Sequence, residues 1–202
     1  MLDVTDRTAV IIGGGGVAAR KARGLLEAGA KVRCVSPVFS PEIPANIERV
    51  QEHYHPRHLD GAFIVFAVTD NPQVNNAVVS DAHAEKLLVN RADVDEDAPG
   101  DFVLPASHRA GNVVIAVAAA SPALSAMIRD KLAQKFDARW QQLATLMIEL
   151  RPAIIHSGLE IARRRQIFRD LASDVALDII GGHGPEGLRR WLLEKYPELQ
   201  NA

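Results

Sequence analysis

Four consecutive glycines, Gly13, Gly14, Gly15 and Gly16, separate an apolar run (Ala9, Val10, Ile11, Ile12) from VAARKARGLLEAG, whose apolar positions recur at helical spacing. Residues 8–30 therefore read as strand, tight turn, helix. Gly13, Gly15 and Ala18 occupy the three small-residue positions of a dinucleotide fingerprint: one for the turn, one for approach of the backbone to a pyrophosphate, one for close packing of helix on strand. The helix N-terminus, with free N–H groups and a partial positive charge, would face the phosphates. A glycine-rich turn that binds nothing would look similar, so placement matters. Here the motif lies between a buried-type strand and an amphipathic helix, and KVRCVS follows as a second strand. That is the context the fingerprint requires. Where the second strand should end in Asp or Glu, the chain reads Val35-Ser36-Pro37-Val38. Ser36 can hydrogen-bond a ribose or tolerate a 2′-phosphate, which leaves NAD and NADP both open at this point.

With 202 residues, the chain has room for one full domain plus a smaller appendage. A net charge of −2 gives no reason to expect nucleic acid or a membrane as partner. The lone Cys34, among the apolar residues of the second strand, excludes an internal disulfide, fits a reducing compartment and reads as a buried structural thiol. No apolar run has the length of a membrane span, and the first ten residues lack the layout of a signal peptide, so the expected location is the cytoplasm.

Further on, Pro37, Pro41 and Pro44 predict an irregular connection, IERVQEHY a third strand, and HPRHLDG a polar loop. AFIVFAV is a continuous apolar run ending in Thr69-Asp70-Asn71-Pro72, as in a parallel strand buried on both faces with a functional loop at its carboxyl end. A helix over 72–86 and a short strand LLVN lead to Asn90-Arg91-Ala92-Asp93. Then FVLPAS and NVVIAVAAA read as two strands joined by a turn at Arg109-Ala110-Gly111, a hairpin expected to extend the parallel sheet at its far edge. From Ser121 the pattern is helical throughout, with Ser121 as N-cap, Pro122 at the first helical position, and breaks near Pro152 and at Gly181-Gly182-His183-Gly184-Pro185. The fold class is thus α/β: a Rossmann-type parallel sheet extended by a hairpin, followed by an all-helical C-terminal region. The expected division is an NAD-binding Rossmann domain over 1–107, a strand–helix dimerisation segment over 108–142 and a helical domain over 143–202. So small a helical tail must bury its apolar stripes on the first domain or on a second copy, which makes a homodimer the expectation.

Taken together and in order, GGGGVAARKARGLLEAGA, FAVTDNPQVN, LVNRADVDEDAPGDFVLPA and VAAASPALSAMIRDKL make the chain resemble the precorrin-2 dehydrogenase family, the N-terminal type of siroheme synthase, over residues 1–140 and more loosely to the end. The resemblance implies NAD-dependent oxidation of precorrin-2 to sirohydrochlorin, and in some members insertion of Fe²⁺ into the product. It lays the dinucleotide over Gly13, Gly14, Gly15, Gly16 and Val17, with Ala18 completing the fingerprint. Ser36, Pro37 and Val38 come by the adenosine end, and Thr69 lies at the next strand's end. The family's functional aspartate falls on Asp93 and its phosphorylatable or ligand-contacting serine on Ser121, with Asn90 on the substrate side. The reaction removes a hydride and a proton, so Asp93 is the candidate base, and it could serve metal insertion as well. A turn or capping aspartate is the plainer reading of the same residue.

The substrate implied carries eight carboxylates, which asks for cations. Arg20 and Lys21, in the first turns after the glycines, are the best placed. Arg91, Arg109, Arg129 and Lys131 are further candidates that also read as surface charges, and Arg163-Arg164-Arg165 as a solvated helix face. Asp95, Glu96, Asp97 and Asp101 read as a solvated acidic loop. No spaced cysteine pair or HExxH occurs, and His53, His55 and His58 read as a solvated loop, so no resident metal is expected. The chain offers no room for a methyltransferase domain, so the methylations that make the substrate are expected to belong to another protein. Two other functions fit parts of the sequence. One is a non-catalytic dinucleotide-sensing module that signals through its helical tail. The other is a dehydrogenase for some other small carboxylate, made less attractive by the missing acid on the second strand.

Overall fold

The apolar run before the glycines is β1 (Thr8–Ile12), the central strand of a five-stranded parallel sheet; all but its first residue are buried. The computed structural model describes residues 2–93 and 100–201 and divides into two compact units, Met1–Leu104 and Pro105–Ala202. In the first unit β1 is followed by α1 (Gly16–Glu27), β2 (Lys31–Val35), β3 (Glu48–Val50), β4 (Ile64–Ala67), α2 (Pro72–Ala84) and β5 (Leu88–Arg91), and the strands lie in the order 3-2-1-4-5. The chain moves outward from β1 through β2 to β3, then crosses back to place β4 on β1's other side. The order reverses between β1 and β4, where ligands of open α/β sheets bind, beyond the carboxyl ends of the strands.

Alternation along the strands divides the core in two. Ala9, Ile11, Cys34, Ile64 and Phe66 face α1, whose Ala18, Ala19 and Ala22 bring the helix close to the sheet. Val10, Ile12, Val65, Ala67 and Val89 face Val78, Val79 and Ala82 of α2. The free edge of β5 is occupied by chain: Asp101 N–H donates to the Val89 carbonyl at 2.7 Å, and the Asp101 carboxylate accepts from Val89 N–H at 2.8 Å.

The second unit holds β6 (Ala106–Ala110), β7 (Val113–Val117), α3 (Pro122–Ala133), α4 (Ala138–His156), α5 (Ile161–Leu171) and α6 (Asp174–Lys195). Leu146, Ile154, Ile167, Leu171, Leu188 and Leu192 are among the residues of its helical core. The hairpin is present, but as a two-stranded antiparallel sheet of its own and not as an extension of the parallel one. The physical reason lies at β5, where the outward N–H and C=O of Val89 are already bonded to Asp101. Residues 102–105, expected in the first strand of that hairpin, belong to no strand.

The expected break near Pro152 is also absent. α4 runs through Pro152 to His156: the proline removes one hydrogen bond, to the carbonyl of Ile148, and both residues lie on the exposed side of the helix, where water can serve that carbonyl. The break in α6 narrows to Gly184 (φ 64°), immediately before Pro185. Among the described residues no helix is long and apolar enough to cross a membrane.

Candidate functional site

The carboxyl edge of the sheet is built around the turn after β1. Gly13 N–H donates to the Val35 carbonyl at 2.9 Å, which ties the turn to the end of β2, and its φ of +134° is one that a side chain strains to adopt. A Cβ on Gly13 would lie 2.7 Å from the Val68 carbonyl oxygen, and one on Gly14 would lie 2.1 Å from that of Val38. Gly15 is different: a Cβ there would meet no atom within 4 Å. Gly15 is also the N-cap of α1, without a side-chain cap and with no acid in the helix's first turn. The first N–H groups of α1 thus open beside a glycine whose missing side chain leaves space, which is the arrangement a pyrophosphate needs. Ala18 is fully buried and Val17 exposed. Gly14, which is not one of the fingerprint's three small positions, turns out to have the tightest surroundings.

At the end of β2, Ser36 is 8% exposed and its hydroxyl donates to the Val38 carbonyl at 2.7 Å. The side chain holds its own turn against Gly14, while Val38, 74% exposed, offers an apolar surface on the outside. Arg33 of β2 is bonded to Glu48 and to the carbonyls of His58 and Asp60, and Arg49 of β3 to the carbonyls of Ile43 and Pro44. Arg33 is thus paired with an acid, whereas Arg49 donates only through Nη2, to main-chain carbonyls.

The carboxyl ends of β4 and β5 carry a polar network that sequence reasoning saw only in part. Thr69 donates its hydroxyl to Oδ1 of Asn75 at 2.7 Å and its N–H to the same oxygen at 3.1 Å, while Asn75 Nδ2 donates back to the Thr69 carbonyl at 3.0 Å. Asn75, on α2, is fully buried. Its signal was available as a polar residue at a core position of the helix, in the motif DNPQVN. Arg91 donates to Asp93 through both Nε (2.7 Å) and Nη2 (2.9 Å), and through Nη1 to Asn76. Its side chain is 1% exposed, so it is a buried partner of Asp93 and not the surface charge expected of it. Hydrogen bonds from Arg91, then from Asn75, hold the Asp93 carboxyl down to about 2, against a partial burial that works the other way.

On the opposite face of the sheet, Lys21 Nζ donates to Asn90 Oδ1 at 2.7 Å and lies 5.2 Å from the centre of the Phe66 ring; Asn90 in turn donates to the Phe102 carbonyl. Burial, and secondarily the neighbouring Arg20 charge, lowers the Lys21 ammonium to about 8. Arg20 is exposed on the same helix. Cys34 donates its thiol to the Gly13 carbonyl at 3.1 Å, and burial raises it to about 11, as suits a structural thiol.

The first unit therefore brings residues 13–18, 36–38, Thr69, Asn90, Lys21 and Asp93 to one sheet. Because all five strands are parallel, the glycine turn and Asp93 share its carboxyl edge. β4 alone lies between β1 and β5, so the two are separated laterally by about 10 Å. Ser121 lies in the second unit, where it caps α3 by accepting from Leu124 N–H at 3.2 Å. Asp95, Glu96 and Asp97 fall outside the described residues. His58 is buried and bonded to Glu52, which departs from a solvated loop; among the described residues no group of three or more His, Cys, Asp or Glu could hold a metal ion.

Comparison with known proteins places this geometry in context. The family model NAD_binding_7, described as NAD(P)-binding, matches residues 1–106. A siroheme synthase of Photobacterium profundum is 31% identical over 185 residues, covering 88% of this chain and 39% of the relative; one of Chromobacterium violaceum is 33% identical over 201 residues, covering 96% and 42%. The chain thus spans about two-fifths of the length of these curated relatives. Among solved structures, SirC, a precorrin-2 dehydrogenase, superposes with a TM-score of 0.76 at 23% identity, covering 97% of this chain and 98% of that one, which establishes the shared fold.

Proposed function

From the premise that the chain belongs to this NAD(P)-binding family, we propose that it is an NAD-dependent precorrin-2 dehydrogenase, oxidising a reduced tetrapyrrole to sirohydrochlorin. The observation that carries the reading is the glycine cradle at the sheet's switch point. Gly13 and Gly14 are forced by their surroundings, Gly15 is left open beside an uncapped helix start, and an aspartate stands on the same edge. These residues fit a dinucleotide.

Residues 13–18 would hold its pyrophosphate, the Ser36-Pro37-Val38 turn its adenosine end, and Thr69 the crevice between β1 and β4. Arg33 of β2 is paired with Glu48, which favours NAD over its 2′-phosphorylated form. Bound there, NAD⁺ supplies the hydride acceptor: one hydride leaves a substrate carbon, one proton leaves the macrocycle to water, and NADH is formed. In the first unit, Asp93 and Asn90 at the carboxyl edge and Lys21 and Arg20 of α1 are the groups for the substrate, the two cations offering positive charge for its carboxylates. The working form is a homodimer in the cytoplasm.

Incubating the protein with precorrin-2 and NAD⁺ tests the reading: NADH absorbance should grow together with the sirohydrochlorin spectrum. Absence of turnover by a folded, NAD-binding protein would overturn it. Repeating the assay on the product with added Fe²⁺ separates one activity from two.

A further inference from the structure

An aspartate expected to take a proton should be accessible and only loosely committed. Asp93 is accessible, with its side chain 28% exposed, but it is not loosely committed. Both of its carboxylate oxygens accept from the fork of Arg91, at 2.7 and 2.9 Å. That guanidinium is buried and is itself held by Asn76 of α2, while the neighbouring Asn75 is locked to the Thr69 backbone and hydroxyl. Arg91 is the charged group bonded to Asp93; the side chains that α2 presents to the pair, Asn75 and Asn76, are neutral amides. A planar fork bonded to both oxygens fixes orientation as well as charge.

Resting on the dehydrogenase reading, we propose that Arg91 is a positioning residue that holds the Asp93 carboxylate as a fixed anion at the carboxyl edge of β5, where it stabilises the positive charge left on the macrocycle by hydride loss and does not accept the proton. The balance is complete without a protein base. The electron pair leaves with the hydride, the macrocycle becomes cationic beside Asp93, and its proton then passes to water. An anion aimed in advance at charge that develops during the reaction costs no reorganisation when it is needed. The strength of the Arg91 pair supports this role, because a carboxylate held down to about 2 is a weak proton acceptor at neutral pH.

Two measurements on the full chain test it. In the substrate-free protein, carbon NMR of the aspartate carboxyls should show Asp93 ionised down to about pH 2, and rising toward the usual value near 3.9 in Arg91→Gln. In the assay, Arg91→Gln should lower kcat by about 10–100-fold with the Kd for NAD⁺ unchanged. Should that variant fold poorly, Arg91→Lys keeps the cation without the fork, and kcat should still fall while the carboxyl stays low.

A wild-type Asp93 that titrates near its ordinary value would overturn the inference whether or not the chain turns over precorrin-2, so its failure is distinct from failure of the enzyme reading. Wild-type kcat in Arg91→Lys would also overturn it, as would an acid limb of kcat near neutral pH that disappears in Asp93→Asn.

Discussion

Gly14 and Gly15 are adjacent and identical in type, yet their surroundings give them different duties. At Gly14 a methyl group would sit 2.1 Å from the Val38 carbonyl oxygen, so Gly14→Ala must displace the turn after β2. It should cost about 1–3 kcal/mol of stability as well as NAD affinity. At Gly15 a methyl group meets no protein atom and φ is −87°, so Gly15→Ala should stay within about 1 kcal/mol of the parent. It should nevertheless weaken NAD binding at least about tenfold, because the methyl takes space that a pyrophosphate would use. Thermal melts paired with NAD titrations of both variants check this, and a Gly15→Ala that binds NAD normally would count against the cradle. The residue type was legible in the sequence at both positions. Which glycine is required by the protein and which by the ligand was not, because that depends on residues 38 and 68, brought there by the fold.

At the scale of elements, α1 is joined to β5 through Lys21 and Asn90, with the Lys21 ammonium over the Phe66 ring of β4. The partners of this lysine among the described residues are neutral, and burial lowers it from the usual 10.5 to about 8. The sign follows from proton counting: between those values the unfolded chain binds a proton that the folded chain does not, so Lys21 makes stability rise with pH above about 8. Cys34 acts oppositely above about 9, since its raised thiol stays protonated in the fold up to about 11. Denaturant melts between pH 8 and 9 should therefore show a gain in the wild type that is missing in Lys21→Met; equal slopes in the two proteins would refute the assignment. The elements themselves were mostly readable from periodicity and capping: Ser121 and Pro122 begin α3 as their types require. The pairing of β6 and β7 apart from the main sheet was not, because it depends on Asp101, a residue whose sequence context looked like a solvated loop, occupying Val89 at the edge of β5.

On the scale of the whole molecule, the second unit leaves apolar side chains unburied around its hairpin and α3. Leu124 and Met127 are exposed, Met127 by 50%, and Ser125 is the one buried residue of that helix among those described. Burying such a face is worth about 25 cal/mol per Å², which is the drive for the proposed homodimer. Sedimentation should give a dimer, and Met127→Glu should shift it toward monomer with the helical content retained; a wild-type monomer at micromolar concentration would remove this part of the proposal. By itself the sequence determined the order of strands and helices, the glycine turn and the residue types around it, since these follow from local periodicity, caps and the conformational freedom of glycine. Only the tertiary structure decided that Arg91 lies buried beneath Asp93, that Asn75 joins the ends of β4 and β5, and that Lys21 reaches Asn90. Hydrogen bonding and desolvation act between residues far apart in the chain, and it is strand order that brings those residues within reach.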